Sequence, residues 1–277
     1  MLEILKVIVL GIVEGITEWL PISSTGHLII VDEFLKLNMT DAFKEMFDVV
    51  IQLGAILAVV VLYFKKLWPV NKDKNTNLLS WDKPKLWLWL KILVASIPAA
   101  IIGLLFDDKI NDLFYNPYVV SVTLIVYGVA FILIEIRNKN RQFTITDVSQ
   151  ITFRTALIIG IFQVLALIPG TSRSGATIVG AMLIGTGRTA AAEFTFFLAI
   201  PVMAGASLLK IVKFLAAGNG MASNEIYMLL IGMLVAYAVS MIVIKFLMSF
   251  IKKHTFIPFG IYRIILGIAV LTYFAVA

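Results

Sequence analysis

The chain has 277 residues, 60% of them hydrophobic and only 14% charged, with a net charge of +6. That charge is too sparse to cover a soluble domain, and the basic excess sits in a few loops, which fits membrane topology better than nucleic acid binding. Cysteine is absent, which excludes disulfides, thiolate chemistry and cysteine metal sites.

Apolar runs and breakers predict helical pieces at 2–20, 24–37, 41–65, 84–107, 116–138, 147–168, 172–186, 188–216, 223–252 and 258–276. The first apolar stretch, Ile4 to Val13, runs straight into Glu14 and so lacks the form of a cleavable signal. Runs such as Leu86 to Phe106 and Tyr227 to Ile244 approach the roughly 20 residues that cross a bilayer. Two pairs of pieces are interrupted by proline and hydroxyl residues. The breaks read Pro21-Ile22-Ser23-Ser24-Thr25-Gly26 and Pro169-Gly170-Thr171-Ser172-Arg173-Ser174-Gly175.

The breaks are weak copies of each other. Sliding the sequence along itself places Gly11-Ile12 on Gly160-Ile161, Glu14 on Gln163, Ser23 on Ser172, Thr25 on Ser174 and Gly26 on Gly175. Paired broken helices in corresponding positions mark inverted-repeat membrane proteins with a midplane site. The expected fold is therefore an all-α integral membrane protein with a single membrane domain over 1–277. It is an inverted repeat of two five-helix halves, 1–140 and 147–277, with six full transmembrane helices and two re-entrant helical pairs. Loop charge gives the orientation. Lys65, Lys66, Lys72, Lys74, Lys83 and Lys85 mark a cytoplasmic end; Asp107, Asp108 and Asp112, with Lys109, mark the outside. Arg137, Lys139 and Arg141, then Lys252 and Lys253, return to the inside, with both termini outside. Lys210 and Lys213, near an outer end, fit less well.

Glu14 and Glu18 are spaced to share one helix face. Glu14 follows about ten apolar residues, roughly 15 Å of helix, which is half the hydrocarbon thickness. Charges at that depth are functional by default, the alternative being a short interfacial helix with both glutamates in water. Ser23, Ser24 and Thr25 open the next helix. They can cap it, and its free N–H groups and positive dipole end suit a phosphate. His27 stands one turn after Ser24, so its ring can approach that hydroxyl; His254, between lysines and a loop, reads as solvated. Arg173 sits among small and hydroxyl residues in apolar sequence, and its fork of donors fits phosphate oxygens. It could equally neutralise Glu14 or Glu18. Ala176-x-x-x-Gly180 and Ala181-x-x-x-Gly185 allow close helix packing behind the site.

At these residues the chain resembles a known family. Glu14-Gly-Ile-Thr-Glu18-Trp-Leu-Pro-Ile-Ser-Ser-Thr-Gly-His27 and Pro169-Gly-Thr-Ser-Arg-Ser-Gly-Ala-Thr177 resemble the two signature motifs of the undecaprenyl-pyrophosphate phosphatases, the bacitracin-resistance membrane enzymes of bacteria. The resemblance spans the chain, including Phe47-Asp-Val-Val-Ile-Gln-Leu-Gly54, Ala192-Glu-Phe194 and Phe256-Ile-Pro-Phe-Gly-Ile-Tyr-Arg263. It implies hydrolysis of the C55 isoprenyl pyrophosphate to the monophosphate, recycling the carrier lipid for peptidoglycan synthesis.

On that reading Ser24 is the candidate nucleophile, His27 or Glu18 takes its proton, and Arg173 clamps the pyrophosphate. Glu14, Ser23, Thr25, Gly170, Ser172, Ser174 and Thr177 complete the substrate contacts. A competing mechanism has Glu18 or His27 activating water directly. Glu14 and Glu18 could also hold Mg²⁺ or Ca²⁺, which bind carboxylates and phosphates together. The implied location is the bacterial plasma membrane, with the site opening to the outer face. The implied partners are undecaprenyl pyrophosphate and the lipid bilayer, without nucleic acid and with room for a homodimer. An inverted-repeat transporter or flippase for a phosphorylated lipid or anion is the alternative; it explains Arg173 but needs neither the Ser24–His27 spacing nor two glutamates. The membrane phosphatases with a histidine nucleophile need a second histidine a few residues after the Ser-Arg pair, and none stands there. A serine intramembrane protease would not need Arg173.

Overall fold

A computed structural model describes residues 2–72 and 79–276. Lys74, one of the lysines used for orientation, lies outside the described residues. The helices are α1 Leu2–Thr17, α2 Ser24–Phe34, α3 Asp41–Val50, α4 Gln52–Leu62, α5 Phe64–Leu67, α6 Lys83–Phe114, α7 Pro117–Asn138, α8 Phe153–Val164, α9 Arg173–Leu183, α10 Arg188–Ala216, α11 Ser223–Ile251 and α12 Ile257–Val276. A short antiparallel hairpin, β1 Val70–Lys72 with β2 Leu79–Trp81, joins α5 to α6; no residue pattern foretold it.

Six segments among the described residues are long and apolar enough to cross a membrane: Asp41–Leu62, Lys83–Phe106, Pro117–Asn138, Arg188–Ala216, Ser223–Ile251 and Ile257–Val276. The chain is thus a multi-pass, all-α membrane protein. Its outer surface agrees, because Leu104, Leu234 and Ile242 are each about two-thirds exposed. Such residues would be a liability in water and are at home in hydrocarbon, where only backbone groups need internal partners.

Local chemistry sets the ends. The hydroxyl of Thr40 accepts from the Phe43 N–H at the start of α3. Asn116 caps α7 with Pro117 at the first helical position, where its missing N–H costs nothing. α6 runs to Phe114, beyond the expected 107, because the acidic stretch holds no breaker before Asn116-Pro117. The expected helix over 147–168 is split. Asp147 and Gln150 close a short 3₁₀ turn at Val148–Gln150, Ile151 is extended, and Thr152 caps a fresh helix at α8. α1, α2 and α9 stop about one turn short of the expected ends.

Of the two discontinuous pairs, α1/α2 and α8/α9, α9 is buried along most of its length, whereas α1 and α8 each keep an exposed apolar face, as at Leu5 and Ile161. α1 packs on α11, α8 on α6, and α7 on α12. Glu135 of α7 holds Arg188 of α10 through two bonds of 2.7 and 2.5 Å and accepts the Phe256 N–H at 2.9 Å, locking three elements at one end. Gly180 packs tightly on Phe162 of α8, as its small-residue spacing predicted. Gly185 does not pack between helices; it lies past the end of α9 with φ +97°, a turn position that favours glycine.

Candidate active site

The two breaks meet face to face, and each is built on a strained serine. Ser23 (φ 77°) and Ser172 (φ 71°) are the non-glycine residues with positive φ among the described residues. That conformation costs an L-residue about 1–3 kcal/mol and persists only where surroundings over-determine it. Here each hydroxyl accepts from the N–H three residues on, Ser23 from Gly26 at 3.3 Å and Ser172 from Gly175 at 3.2 Å. The strained caps turn the chain sharply and set Ser24 and Arg173 as the first residues of α2 and α9.

Glu18 joins the breaks. One carboxylate oxygen, Oε1, accepts from Arg173 Nη2 at 2.9 Å, and Oε2 accepts from Ser24 Oγ at 3.2 Å. Its backbone carbonyl accepts from Ser174 Oγ at 3.3 Å. Arg173 is fixed on its other side by donation to the Thr195 carbonyl at 2.8 Å, and its guanidinium lies over the Trp19 ring. Its Nε–H is buried and has no partner among the described residues, so one donor of the fork is unspent. Thr177 donates to the Arg173 carbonyl and accepts from Thr195 Oγ1, steadying the first turn of α9. Ser172 and Ser174 pair through their hydroxyls at 3.1 Å, and Thr25 is half-buried beside Ser24.

Glu14 is completely buried, which rules out a short interfacial helix with both glutamates in water. Neither of its carboxylate oxygens has a hydrogen-bond partner among the described residues. The charges around it are Glu18, Asp48 and Arg173. A desolvated carboxylate without donors is costly unless a cation or proton accompanies it.

His27 is placed differently from its expected approach to Ser24. Its Nδ1 lies 2.7 Å from the Ser23 carbonyl and its Nε2 lies 2.7 Å from the Tyr262 hydroxyl, with the two rings stacked. A carbonyl only accepts, so Nδ1 carries the proton, and in the neutral ring Nε2 accepts from Tyr262. His27 therefore braces the strained Ser23 peptide, and Glu18 is the carboxylate in contact with Ser24. Gly170 contributes backbone: its φ is +85°, and a Cβ there would lie 2.2 Å from Thr123 Oγ1. His254 is exposed and stacked on Phe250, away from the site.

Arg263 received no role from the sequence beyond membership of a motif. It is fully buried on α12, and its Nη2 donates to the carbonyls of Gly170 and Thr171 at 2.8 and 2.9 Å while Nη1 donates to that of Pro21 at 3.3 Å. One guanidinium thus ties the carbonyls of both breaks together. The available signal was an arginine inside an apolar helix, which the membrane makes expensive. Tyr262 carried no such signal, since aromatic residues are common in membrane helices.

The division of labour is asymmetric. In the internal alignment Glu18 falls on Leu167 and Ser24 on Arg173. The breaks share a capping design, but one supplies carboxylate and hydroxyl and the other guanidinium. No group of three or more His, Cys, Asp or Glu arranged to hold a metal occurs among the described residues. Two carboxylates, one with unpartnered oxygens, still fit a divalent cation whose remaining ligands come from phosphate.

The comparisons with known proteins agree with the motif resemblance. The family model for bacitracin resistance protein BacA matches residues 7–269. The chain is 60% identical over 271 residues to an undecaprenyl-diphosphatase of Enterococcus faecalis, covering 98% of this chain and 96% of that protein. It is 60% identical over 276 residues to undecaprenyl-diphosphatase 1 of Clostridium acetobutylicum, covering 99% and 98%. An undecaprenyl-diphosphatase of Lactococcus lactis subsp. cremoris is 58% identical over 283 residues, covering 99% of this chain and 98% of that protein.

Proposed function

Because the chain belongs to the bacitracin resistance protein BacA family, we propose that its central site hydrolyses undecaprenyl pyrophosphate to undecaprenyl phosphate and inorganic phosphate in the bacterial plasma membrane. The reaction returns the carrier lipid to peptidoglycan synthesis and underlies bacitracin resistance. The observation that carries the reading is the chain Ser24 Oγ–Glu18–Arg173, which links a nucleophile, a base and an anion-binding cation across the two breaks.

The chemistry follows from those contacts. The terminal phosphate enters between the N-termini of α2 and α9, whose N–H groups and dipole ends favour an anion. Arg173 binds its oxygens with the free Nε–H and by sharing the Nη2–H that Glu18 holds beforehand. That exchange frees Glu18 to take the Ser24 proton as Oγ attacks phosphorus. The Ser24 O–P bond forms, the anhydride P–O bond breaks, and undecaprenyl phosphate leaves with the electron pair. Water then attacks the phosphoserine, Glu18 returns its proton to Ser24, and phosphate departs with one proton released to solvent. Arg173 and the dipoles stabilise the spreading equatorial charge, which is the main task in phosphoryl transfer. Glu14, with Glu18 beside it, would hold Mg²⁺ or Ca²⁺. Such a cation would neutralise pyrophosphate charge and the desolvated Glu14 carboxylate together.

The architecture reads as an inverted repeat, 1–140 and 147–277, with α1/α2 and α8/α9 as re-entrant pairs and the site open to the outer face. Matched contacts support it. A Cβ on Gly11 of α1 would sit 2.9 Å from the Gly232 carbonyl of α11, and one on Gly160 of α8 would sit 2.2 Å from the Ala95 carbonyl of α6. The first helix of each half thus packs backbone-close on the fourth helix of the other half. The equal caps and strain at Ser23 and Ser172 are a second matched pair. Cysteines placed at Lys85 and Lys109 should label from opposite sides of intact cells, Lys85 from inside; labelling of both from outside removes the topology. For the activity, purified protein in detergent should release inorganic phosphate from undecaprenyl pyrophosphate. A transporter would bind that lipid without releasing phosphate.

A further inference from the structure

Away from the breaks, at the end that carries α5 and the start of α6, a cavity of about 560 Å³ opens between α5, α6 and the turn before α8. Lys65, Lys66, Lys85 and Lys91 line it, together with Trp87 and Phe153. Nothing in the hydrolysis derived above uses it. Topology alone explains lysines in a loop, because orientation needs only charge on the inner side. It does not explain a cavity, and it does not explain Lys91. Lys91 sits within the membrane-crossing segment Lys83–Phe106, two turns into α6, about 12 Å of helix rise beyond Lys83. A lysine there has to send its ammonium back along the helix toward headgroup level, which carries it to the cavity.

The charges facing the cavity leave it positive. Lys66 is spent on Glu193, at 2.5 Å, and Lys85 makes a surface pair with Asp82 at 3.1 Å. Asp147 also lines the space and keeps its charge, its Oδ1 accepting from the Ser149 N–H and hydroxyl at 2.9 and 2.6 Å, so one carboxylate faces four lysines. Lys65 and Lys91 have no carboxylate in salt-bridge contact among the described residues. The other wall is apolar. Trp87 is half exposed and meets Phe153 edge-on at 5.7 Å, the aromatic arrangement of a bilayer interface. A ligand here meets ammonium groups on one side and hydrocarbon-facing rings on the other. That is the chemistry of an anionic amphiphile, and a free phosphate ester would leave the aromatic wall unused.

We propose that this cavity binds an anionic glycerophospholipid, with Lys65, Lys85 and Lys91 around its phosphodiester and Trp87 and Phe153 against the first carbons of its acyl chains. Lys91, reaching up from the apolar span, holds the phosphate at the depth where the headgroup joins the chains.

The test is native mass spectrometry of the full chain in detergent, titrated with phosphatidylglycerol or phosphatidylcholine. Wild type should retain phosphatidylglycerol in preference to phosphatidylcholine. Lys91→Gln and Lys85→Gln should each weaken that retention about fivefold, from the worth of one interfacial lysine, and Lys91→Arg should keep it. Arg173→Ala, which disables the central site, should retain the lipid like wild type, so failure of the hydrolysis reading and failure of this one are separable. Equal retention of the two lipids, or unchanged retention in both glutamine variants, overturns the proposal. So does displacement of phosphatidylglycerol by soluble glycerol 3-phosphate, which would mean a free phosphate ester is the ligand, and so does loss of retention in Arg173→Ala.

Discussion

Replacing Arg263 by lysine separates geometry from charge at the joint between the two breaks. The guanidinium makes short bonds to the carbonyls of Gly170 and Thr171 and a longer one to that of Pro21. A lysine ammonium keeps the positive charge but is a single point on a flexible stem and cannot reproduce the planar fork. If it serves one carbonyl, two buried acceptors are left without donors, each costing about 1–3 kcal/mol, so about 2–6 kcal/mol of stability is at risk. The breaks also lose their common anchor, and misplacement of reacting groups by about 1 Å costs on the order of a hundredfold in rate. Arg263 touches backbone rather than lipid, so the loss should fall on kcat with KM little changed. Thermal unfolding in detergent and steady-state phosphate release together read both effects. Wild-type unfolding and wild-type kcat in Arg263→Lys would refute the idea that this fork sets the relative position of the breaks.

Arg173→Lys should lower turnover about tenfold or more, on the order of 1.4 kcal/mol in the barrier, because one ammonium cannot hold Thr195, Glu18 and phosphate together; turnover near wild type would mean that a point charge suffices. Tyr262→Phe removes the donor to His27 Nε2, so the ring loses one of its two anchors; a several-fold drop in kcat is expected in steady-state kinetics, and an unchanged kcat would leave the pair without a role in holding Ser23. If Glu14 and Glu18 hold a cation, Glu14→Gln should raise the Mg²⁺ or Ca²⁺ concentration needed for half-maximal activity. Full wild-type turnover in excess chelator would eliminate that role.

Much of this was legible in the residues because membranes make polar groups expensive. Glu14, Glu18, Ser24 and Arg173 stand out against apolar sequence, and the repeated Ser-x-x-Gly caps mark where helices restart. What the sequence left open is pairing across space. Glu18 and Arg173 are neighbours only because the turn after α1 meets the start of α9, and sequence alone allowed Arg173 to meet either glutamate. His27 is one turn from Ser24 along the helix, which favoured a direct contact. The strained φ at Ser23 instead turns its carbonyl to His27, and the ring's far side goes to Tyr262, a residue on the last helix. Arg263 was visible as an intramembrane charge, but its partners are carbonyls, which no residue type advertises. The split between the 3₁₀ turn and α8 was missed because Ile151 and Thr152 look no less helical than their neighbours, and only the caps at Asp147 and Thr152 reveal it.

The most direct test of the central claim is acid-quenched turnover of undecaprenyl pyrophosphate labelled on its terminal phosphate, run on wild type, Ser24→Ala and His27→Ala. The Ser24 Oγ–Glu18 contact predicts that wild type traps label on Ser24 and that Ser24→Ala loses nearly all phosphate release while still binding the lipid through Arg173 and the helix N-termini. It also predicts that His27→Ala is impaired but still forms the labelled serine. Substantial phosphate release by Ser24→Ala, with His27→Ala inactive and no label on the wild-type chain, would contradict it and leave direct attack by water as the mechanism.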